Sequence, residues 1–396
     1  MNIVIVAQYF YPDNFRINHI AKELVKQGHR VKVITGLPDY TTSTIPKEFK
    51  WFRRRRESYC GVEVLRVPTI ARHKGIFFRA LNYASFVLSA SLYALFCSKK
   101  SIDAIFVYQT SPVFQAIPAI ILQYRTSKKL VLYCCDLWPE SLKAWNVTED
   151  SFLFRSVLNI SKKIYNHCDT VAITSTPFRE YLTEICHVDD DKIKYLPQHC
   201  DDLYADICNA LMENGCVDFV FAGNIGSVQN IDCIIHAAAM LSSDKNYKIH
   251  IIGDGSELDN CKALVNQTGL QDRIFFYGRY PLKEMKKFYQ MADCFLLTLR
   301  GGDFIGQTLP SKVQGYLCAG RPILGAVNGA ANAMIQEADC GECVPAGDDK
   351  ALSEKMSFII DHFDLYRQKG HNGRKFYESH YTKEKFMLTL MNLFKS

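Results

Sequence analysis

No regular spacing unites the cysteines of this chain. There are 15, an odd number, scattered over 396 residues and including the adjacent pair Cys134 and Cys135. That excludes a disulfide framework and points to a reducing compartment. Cys340 and Cys343 form a CxxC with no second pair and no nearby histidines, which argues against a zinc site. The opening MNIVIVAQYF has no basic stretch ahead of its apolar run, so it lacks the form of a signal peptide and reads as a buried first strand. No repeat of roughly 20–50 residues and no low-complexity tract occurs. The glycine pair of Gly223-Asn224-Ile225-Gly226 is not GxGxxG, and no acidic residue follows at the ribose spacing, so a nicotinamide site is disfavoured.

What is present describes a well-packed protein. Hydrophobic residues make up 48% and charged residues 22%. The length exceeds what one core supports, so two domains are expected. Net charge is +6 but unevenly placed: residues 1–100 carry 17 Lys+Arg against 6 Asp+Glu. A basic amino-terminal region favours an anionic partner such as lipid headgroups, phosphates or nucleic acid. A nucleic-acid role is the weakest of these, because the basic run is short and no recognition motif accompanies it.

Asn2–Val6 reads as a strand, followed by an amphipathic helix with Ile17, Ile20, Ala21, Leu24 and Val25 inward and Gly28 as its stop, then the strand Val31–Ile34. This opening predicts a doubly wound parallel α/β sheet. The pattern restarts at Val217–Ala222, beyond a polar passage from Pro197 to Gly215, so a second sheet of the same kind is expected. Trp51–Arg56, WFRRRR, reads as an exposed loop or as a membrane anchor formed by Arg53, Arg54, Arg55 and Arg56. The charge-free, apolar run Ala80–Cys97, 18 residues, lies at the lower edge of a spanning helix; Asn82, Ser85, Ser89 and Ser91 weaken that reading. A helix half buried in the domain and half dipped into the bilayer interface fits better, with a wholly buried core helix second and a membrane span third.

Three places carry candidate chemistry. Asp136 follows the buried strand Lys129–Cys135, where ligands of open α/β sheets bind, and Glu140 stands four residues on. The pair could orient a hydroxyl or accept its proton, or be an ordinary helix start with Asp136 as cap. Asp189–Asp191 sits in a polar turn and reads as solvated. The stretch Leu299–Gly325 predicts a glycine loop, a helix capped by Thr308 or Ser311 with Pro310 in its first turn, a stop at Gly320 and a buried strand. Lys312 beside that helix start suits an anion. Ser311 and Gln314 also fit a capping box.

"LPSKVQGYLCAGRPIL", "CDLWPESL" and "QYFYPDNFRINHIAKELVKQGHRVKVITGLPDY" resemble segments of the family-four (group 1) retaining glycosyltransferases of bacterial surface-polysaccharide assembly. The second of these resembles a signature of the fucosamine-transferase-like members. The resemblance implies two Rossmann-like domains facing a cleft, the GT-B type. It places an acceptor and membrane-facing domain at 1–200, a nucleotide-sugar domain at 201–375, and a last helix, 376–396, packing back on the first. It implies transfer from a nucleotide sugar, UDP-linked by family habit, to a polyprenyl diphosphate-linked saccharide, without metal or cofactor. The enzyme would be cytoplasmic, attached to the inner face of the cell membrane. Donor contacts carried over are Gly223, Asn224, Gly226, Gly253, Asp254, Gly255, Arg279, Gln307, Thr308, Ser311 and Gln314. Arg16 replaces part of the family's Gly-Gly pair and becomes a candidate contact for an acceptor phosphate. Two glutamates common in the family are Gln307 and Gly315 here, which keeps open an inert donor-binding scaffold; a non-hydrolysing sugar-nucleotide epimerase, similar in its two-domain architecture, is the other alternative.

Overall fold

Strands and helices alternate along the chain in the computed structural model, which describes residues 1–40, 43–50, 53–73, 75–99, 101–145, 147–200, 202–207, 215–302, 306 and 308–395. Two units result: Met1–Leu196 with Met387–Ser396, and Pro197–Phe386. In the first, β1 (Asn2–Val6), β2 (Arg30–Thr35), β3 (Arg56–Tyr59), β4 (Val62–Arg66), β5 (Ala104–Gln109), β6 (Leu130–Cys134), β7 (Thr170–Ile173) and β8 (Ile193–Tyr195) form one sheet. Its order is β3-β4-β2-β1-β5-β6-β7-β8. All neighbours run parallel except β3, which is antiparallel to β4 at the edge.

The central strands β1, β5, β6 and β7 are mainly apolar runs because helices cover the sheet. The helix α1 (Arg16–Lys26) buries Ile17, Ile20, Ala21 and Leu24 on one face. Gly28 follows with φ +84°, a conformation that a β-carbon would strain. The 21-residue α2 (Ile76–Phe96) buries Asn82, Tyr83, Phe86, Ala90 and Ala94, and turns Phe77, Leu88, Leu92, Leu95 and Phe96 outward. No helix among the described residues is long and apolar enough to cross a membrane. The helices α3 (Ile117–Thr126), α4 (Phe152–His167) and α5 (Pro177–Glu180) complete the unit. Asp190, in the acidic turn, pairs with Arg179.

The WFRRRR run is not a single exposed loop. Trp51 and Phe52 lie outside the described residues, Arg56 opens β3, and a Cys60-Gly61 turn leads into β4. Arg54 pairs with Glu57 and lies over the Phe49 ring, whereas Arg55 is half-buried. Arg53, Arg54 and Arg56 are exposed.

In the second unit, β9 (Val217–Ala222), β10 (Tyr247–Ile252), β11 (Ile274–Gly278), β12 (Cys294–Thr298), β13 (Ile323–Ala326) and β14 (Gly341–Val344) form a parallel sheet ordered β11-β10-β9-β12-β13-β14. Strand order reverses between β9 and β12, the place where such sheets open a crevice at their carboxyl ends. Between strands run α6 (Ile231–Ala239), α7 (Leu258–Thr268), α8 (Met285–Met291), α9 (Val313–Ala319) and α10 (Gly329–Glu337); α11 (Asp349–Asp361) and α12 (Phe363–His380) follow β14. Gly370 and Gly373 bring α12 against Gly320 and Cys340, so that helix stays with the second unit. The return to the first begins at Met387, inside α13 (Lys383–Lys395), rather than at 376. Phe394 there meets Phe106 at 5.7 Å.

Candidate active site

Two glycine loops at the carboxyl end of the second sheet are pressed together backbone to backbone. The Gly223 amide donates to the Ile252 carbonyl at 2.9 Å, and the Ile225 amide to the Asp254 carbonyl at 2.9 Å. A β-carbon on Gly253, whose φ is +156°, would lie 1.7 Å from the Gly223 oxygen, so only glycine fits there. Gly255 meets the Ile225 carbonyl almost as closely. Gly223, Asn224, Gly253, Asp254, Gly255 and Arg279 line a cavity of about 560 Å³. Asn224 donates to Gln229 at 3.1 Å, and the Asp254 carboxylate accepts from the Gly255 amide at 2.8 Å. Gly226 is buried beneath the loop, while Arg279 is exposed at the mouth.

Lys312 reaches the same place from α9. Its Nζ lies 3.7 Å from the Phe221 ring centre, and a β-carbon on Gly223 would stand 2.6 Å from it. That Nζ is sealed from solvent and has no hydrogen-bond partner among the described residues. Burial lowers its pKa to about 7, and among the described residues no carboxylate offsets the lost hydration. A lysine in this state gains most when an anion arrives.

The helix that carries Lys312 is shorter than the sequence suggests. It has seven residues and starts at Val313, with Lys312 as N-cap and no side-chain cap. Neither Thr308 nor Ser311 caps it, and Pro310 lies ahead of it; the Val313 amide instead donates to the Pro310 carbonyl at 3.1 Å. The helix starts one residue later than a Ser311 cap implied and four later than a Thr308 cap implied. The Ser311–Gln314 box is not formed, and Gln314 is buried with Oε1 unpartnered among the described residues. Gln307 falls outside the described residues. Over two turns a helix dipole contributes little; the Lys312 charge dominates.

Tyr316 and Phe221 are the residues that sequence reading missed. Tyr316 looked like one more apolar position of α9. Its hydroxyl accepts from the Ala222 amide at 2.9 Å and donates to the Ala222 carbonyl at 3.2 Å. Its ring stacks on Phe295 at 4.0 Å. Only the 94-residue separation hid the link. Gly315, where the family carries a glutamate, faces the stacked pair Tyr204 and Tyr289; a β-carbon would meet them at 3.4 and 3.2 Å.

In the first unit Asp136 follows β6. Its carboxylate accepts from Ser111 Oγ at 3.1 Å, and that oxygen in turn accepts from Trp138 Nε1 at 3.2 Å. Burial raises its pKa and the Ser111 bonds partly oppose this. Glu140, four residues on, is not beside it in role: it opens a 3₁₀ turn and pairs with Lys143 at 2.5 Å. Arg16 is half-buried at the start of α1, close enough to Tyr108 and Tyr133 to act on both electrostatically. The structure brings Arg16 and Asp136 around Tyr108 at one end of the sheet. Among the described residues no group of His, Cys, Asp and Glu could hold a metal ion.

The glycosyl transferase 4-like domain family matches residues 14–199, and the glycosyl transferases group 1 family matches residues 213–376. A Pseudomonas aeruginosa protein named as the glycosyltransferase WbjE is 28% identical over 268 residues, 64% of this chain and 65% of its own. WcaI of Escherichia coli (strain K12), named for colanic acid biosynthesis, is 24% identical over 350 residues, 81% and 82% of the two chains. Among solved structures, Anabaena Alr3699/HepE in complex with UDP superposes with a TM-score of 0.71 at 13% identity, covering 99% of both chains. That likeness extends over the whole fold and is of the GT-B type.

Proposed function

Since the chain belongs to the glycosyl transferases, a 4-like domain followed by a group 1 domain, we propose that it transfers a sugar from a nucleotide sugar to a saccharide acceptor in surface-polysaccharide assembly. The observation that carries this is the Lys312 Nζ, without a hydrogen-bond partner among the described residues, packed behind Gly223, which lines a cavity together with the Gly253 loop and Arg279. A sugar diphosphate brings the missing counter-charge. As the bond from the anomeric carbon to the β-phosphate oxygen breaks, negative charge grows on that phosphate. Lys312, protonated in the complex, stabilises it; removing such a donor typically slows a reaction by about 10²–10³. Arg279 at the mouth adds a second positive charge, so this chemistry needs no resident metal.

The donor is a UDP-sugar in this reading, in line with the UDP held by the structural relative HepE. The acceptor hydroxyl attacks on the face the phosphate leaves, giving retention, and its proton passes to the departing phosphate. Asp136 orients that hydroxyl, and Arg16 holds an acceptor phosphate. Gln314 contacts the nucleotide. The acceptor is lipid-linked, and the first unit works at the anionic inner membrane face: α2 turns an uncharged stripe outward, and basic residues crowd this part of the chain.

The test is transfer from a panel of UDP- and GDP-sugars to polyprenyl diphosphate-linked saccharides. Product formation with release of nucleoside diphosphate is expected, and Lys312→Met abolishes it. Donor binding without turnover on any acceptor, or isomerised donor in its absence, overturns the reading.

A further inference from the structure

At the amino-terminal ends of β1 and β2, and beside the last turn of α2, lies a cavity of about 850 Å³. Strand direction puts it at the opposite end of the first sheet from Asp136, so it is not the proposed acceptor site. Its polar wall is basic. His29, Arg30, Lys32 and Arg56 line it. His29 also sits 3.2 Å from the Met1 amino group. Lys32 pairs with Glu63 at 2.8 Å, and Asp103 accepts from the Asn2 amide at 2.7 Å. These two carboxylates are therefore engaged. Arg30 and Arg56 are exposed and have no ion pair among the described residues. Burial pushes the His29 pKa down, and the positive charges of the amino terminus and Lys395 add to this.

The other wall is apolar and leads out of the cavity. Tyr93 and Phe96 close it from α2, and Ile102 and Leu122 form its floor. Phe96 is 83% exposed and continues the outward stripe of Leu88 and Leu92, 66% and 58% exposed. A soluble anion has no use for such a wall. An amphiphile does, because its headgroup and its chain want different sides.

We propose that this cavity binds one anionic phospholipid, with the phosphate between Arg30 and Arg56 and an acyl chain along Phe96 and the stripe of α2. The proposal rests on the reading of the first unit as membrane-facing and makes that contact a specific one. A helix lying flat in the interface is held there by apolar burial; a seated lipid adds selection for anionic membranes and fixes the rotation of the unit on the surface.

The experiment uses the full chain and dihexanoylphosphatidylglycerol below its micellar concentration, followed by native mass spectrometry. One lipid is expected to bind saturably, and dihexanoylphosphatidylcholine about tenfold more weakly or worse. The exposed double variant Arg30→Gln/Arg56→Gln loses the preference by about tenfold or more. Lys262→Gln/Lys375→Gln, which removes the same charge from exposed positions of the second unit, leaves it intact. Equal binding of the two lipids, equal loss in both double variants, or displacement by millimolar inorganic phosphate each overturns the proposal. The stabilisation of the protein by UDP reports the donor site separately: its survival alongside a failed lipid assay sinks the cavity and leaves the transferase standing.

Discussion

The hydroxyl of Tyr316 is bonded to both the amide and the carbonyl of Ala222, at 2.9 and 3.2 Å. It fastens the end of β9 to the helix four residues beyond Lys312, and so sets where the lysine stands over Phe221. Tyr316→Phe keeps the ring stack on Phe295 but strands a buried amide, a loss of about 1–3 kcal/mol in urea unfolding. Transfer should fall further than stability explains, since Lys312 loses its brace. Unchanged donor affinity and rate in a folded variant would remove Tyr316 from the site.

Lys312 should take up a proton when the donor diphosphate binds. Its pKa near 7 in the empty protein leaves it mostly neutral at pH 8, and an adjacent anion favours the charged form. Calorimetry of UDP binding at pH 8 in buffers of different ionisation enthalpy should show the uptake. At pH 6 the lysine is already protonated, so the uptake vanishes and binding is tighter. Lys312→Met abolishes both effects; persistence of the uptake in that variant contradicts the assignment.

The two glycines facing each other respond differently to a methyl group. Gly253→Ala places a β-carbon against the Gly223 carbonyl, where backbone must move, and should cost several kcal/mol, about 3 or more. Gly223→Ala meets the flexible end of Lys312 instead. It should unfold at a denaturant concentration closer to the parent, yet lose donor binding about tenfold or more. Equal destabilisation by both would show that the lysine is not the yielding neighbour.

Asp136→Asn should lower transfer by about 10² or more if the carboxylate handles the acceptor hydroxyl. Burial raises its pKa, so the acid limb of the rate profile lies above the ordinary carboxylate range. Ser111→Ala removes a bond that favours the ionised form and should shift that limb to higher pH still. A profile that does not move with Ser111 argues for a purely structural aspartate.

Asp39 is a buried carboxylate whose pKa burial raises to about 6; Oδ2 accepts from the Arg72 amide at 2.7 Å and from Asn82 at 2.9 Å. Between the unfolded value of 3.8 and about 6 the folded chain holds the extra proton. Stability therefore falls as pH rises through that window, by about 3 kcal/mol at most. Asp39→Asn should flatten this fall in urea midpoints taken at pH 4.5, 6 and 7.5. Parallel curves for the two proteins would refute it.

Much of the fold was legible because strands such as β1 and β9 are short, mostly apolar runs, and Gly223 marks the turn after β9. The edge hairpin β3–β4 was not, because four consecutive arginines hide any alternation and only Cys60-Gly61 marks the turn. The start of α9 was misread for a different reason. Thr308, Pro310 and Ser311 have the chemistry of a helix start, yet the backbone is recruited elsewhere until Lys312. Lys312 and the glycine loops could be found from sequence, since their residue types announce an anion. Tyr316 and Ser111 could not be assigned, because what each does is decided by a partner brought in by the fold: Ala222 and Asp136.

The contact between Gly253 and the Gly223 carbonyl also bears on how donor choice can change. With no space for a side chain at either crossing point, the two loops behave as one casting and tolerate exchange only together. Diversity has to come from the side chains of Asn224, Asp254 and Arg279, which border the cavity and are not the atoms that meet where Gly253 faces the Gly223 carbonyl. Libraries aimed at a new sugar nucleotide should therefore randomise those three and leave the glycines untouched.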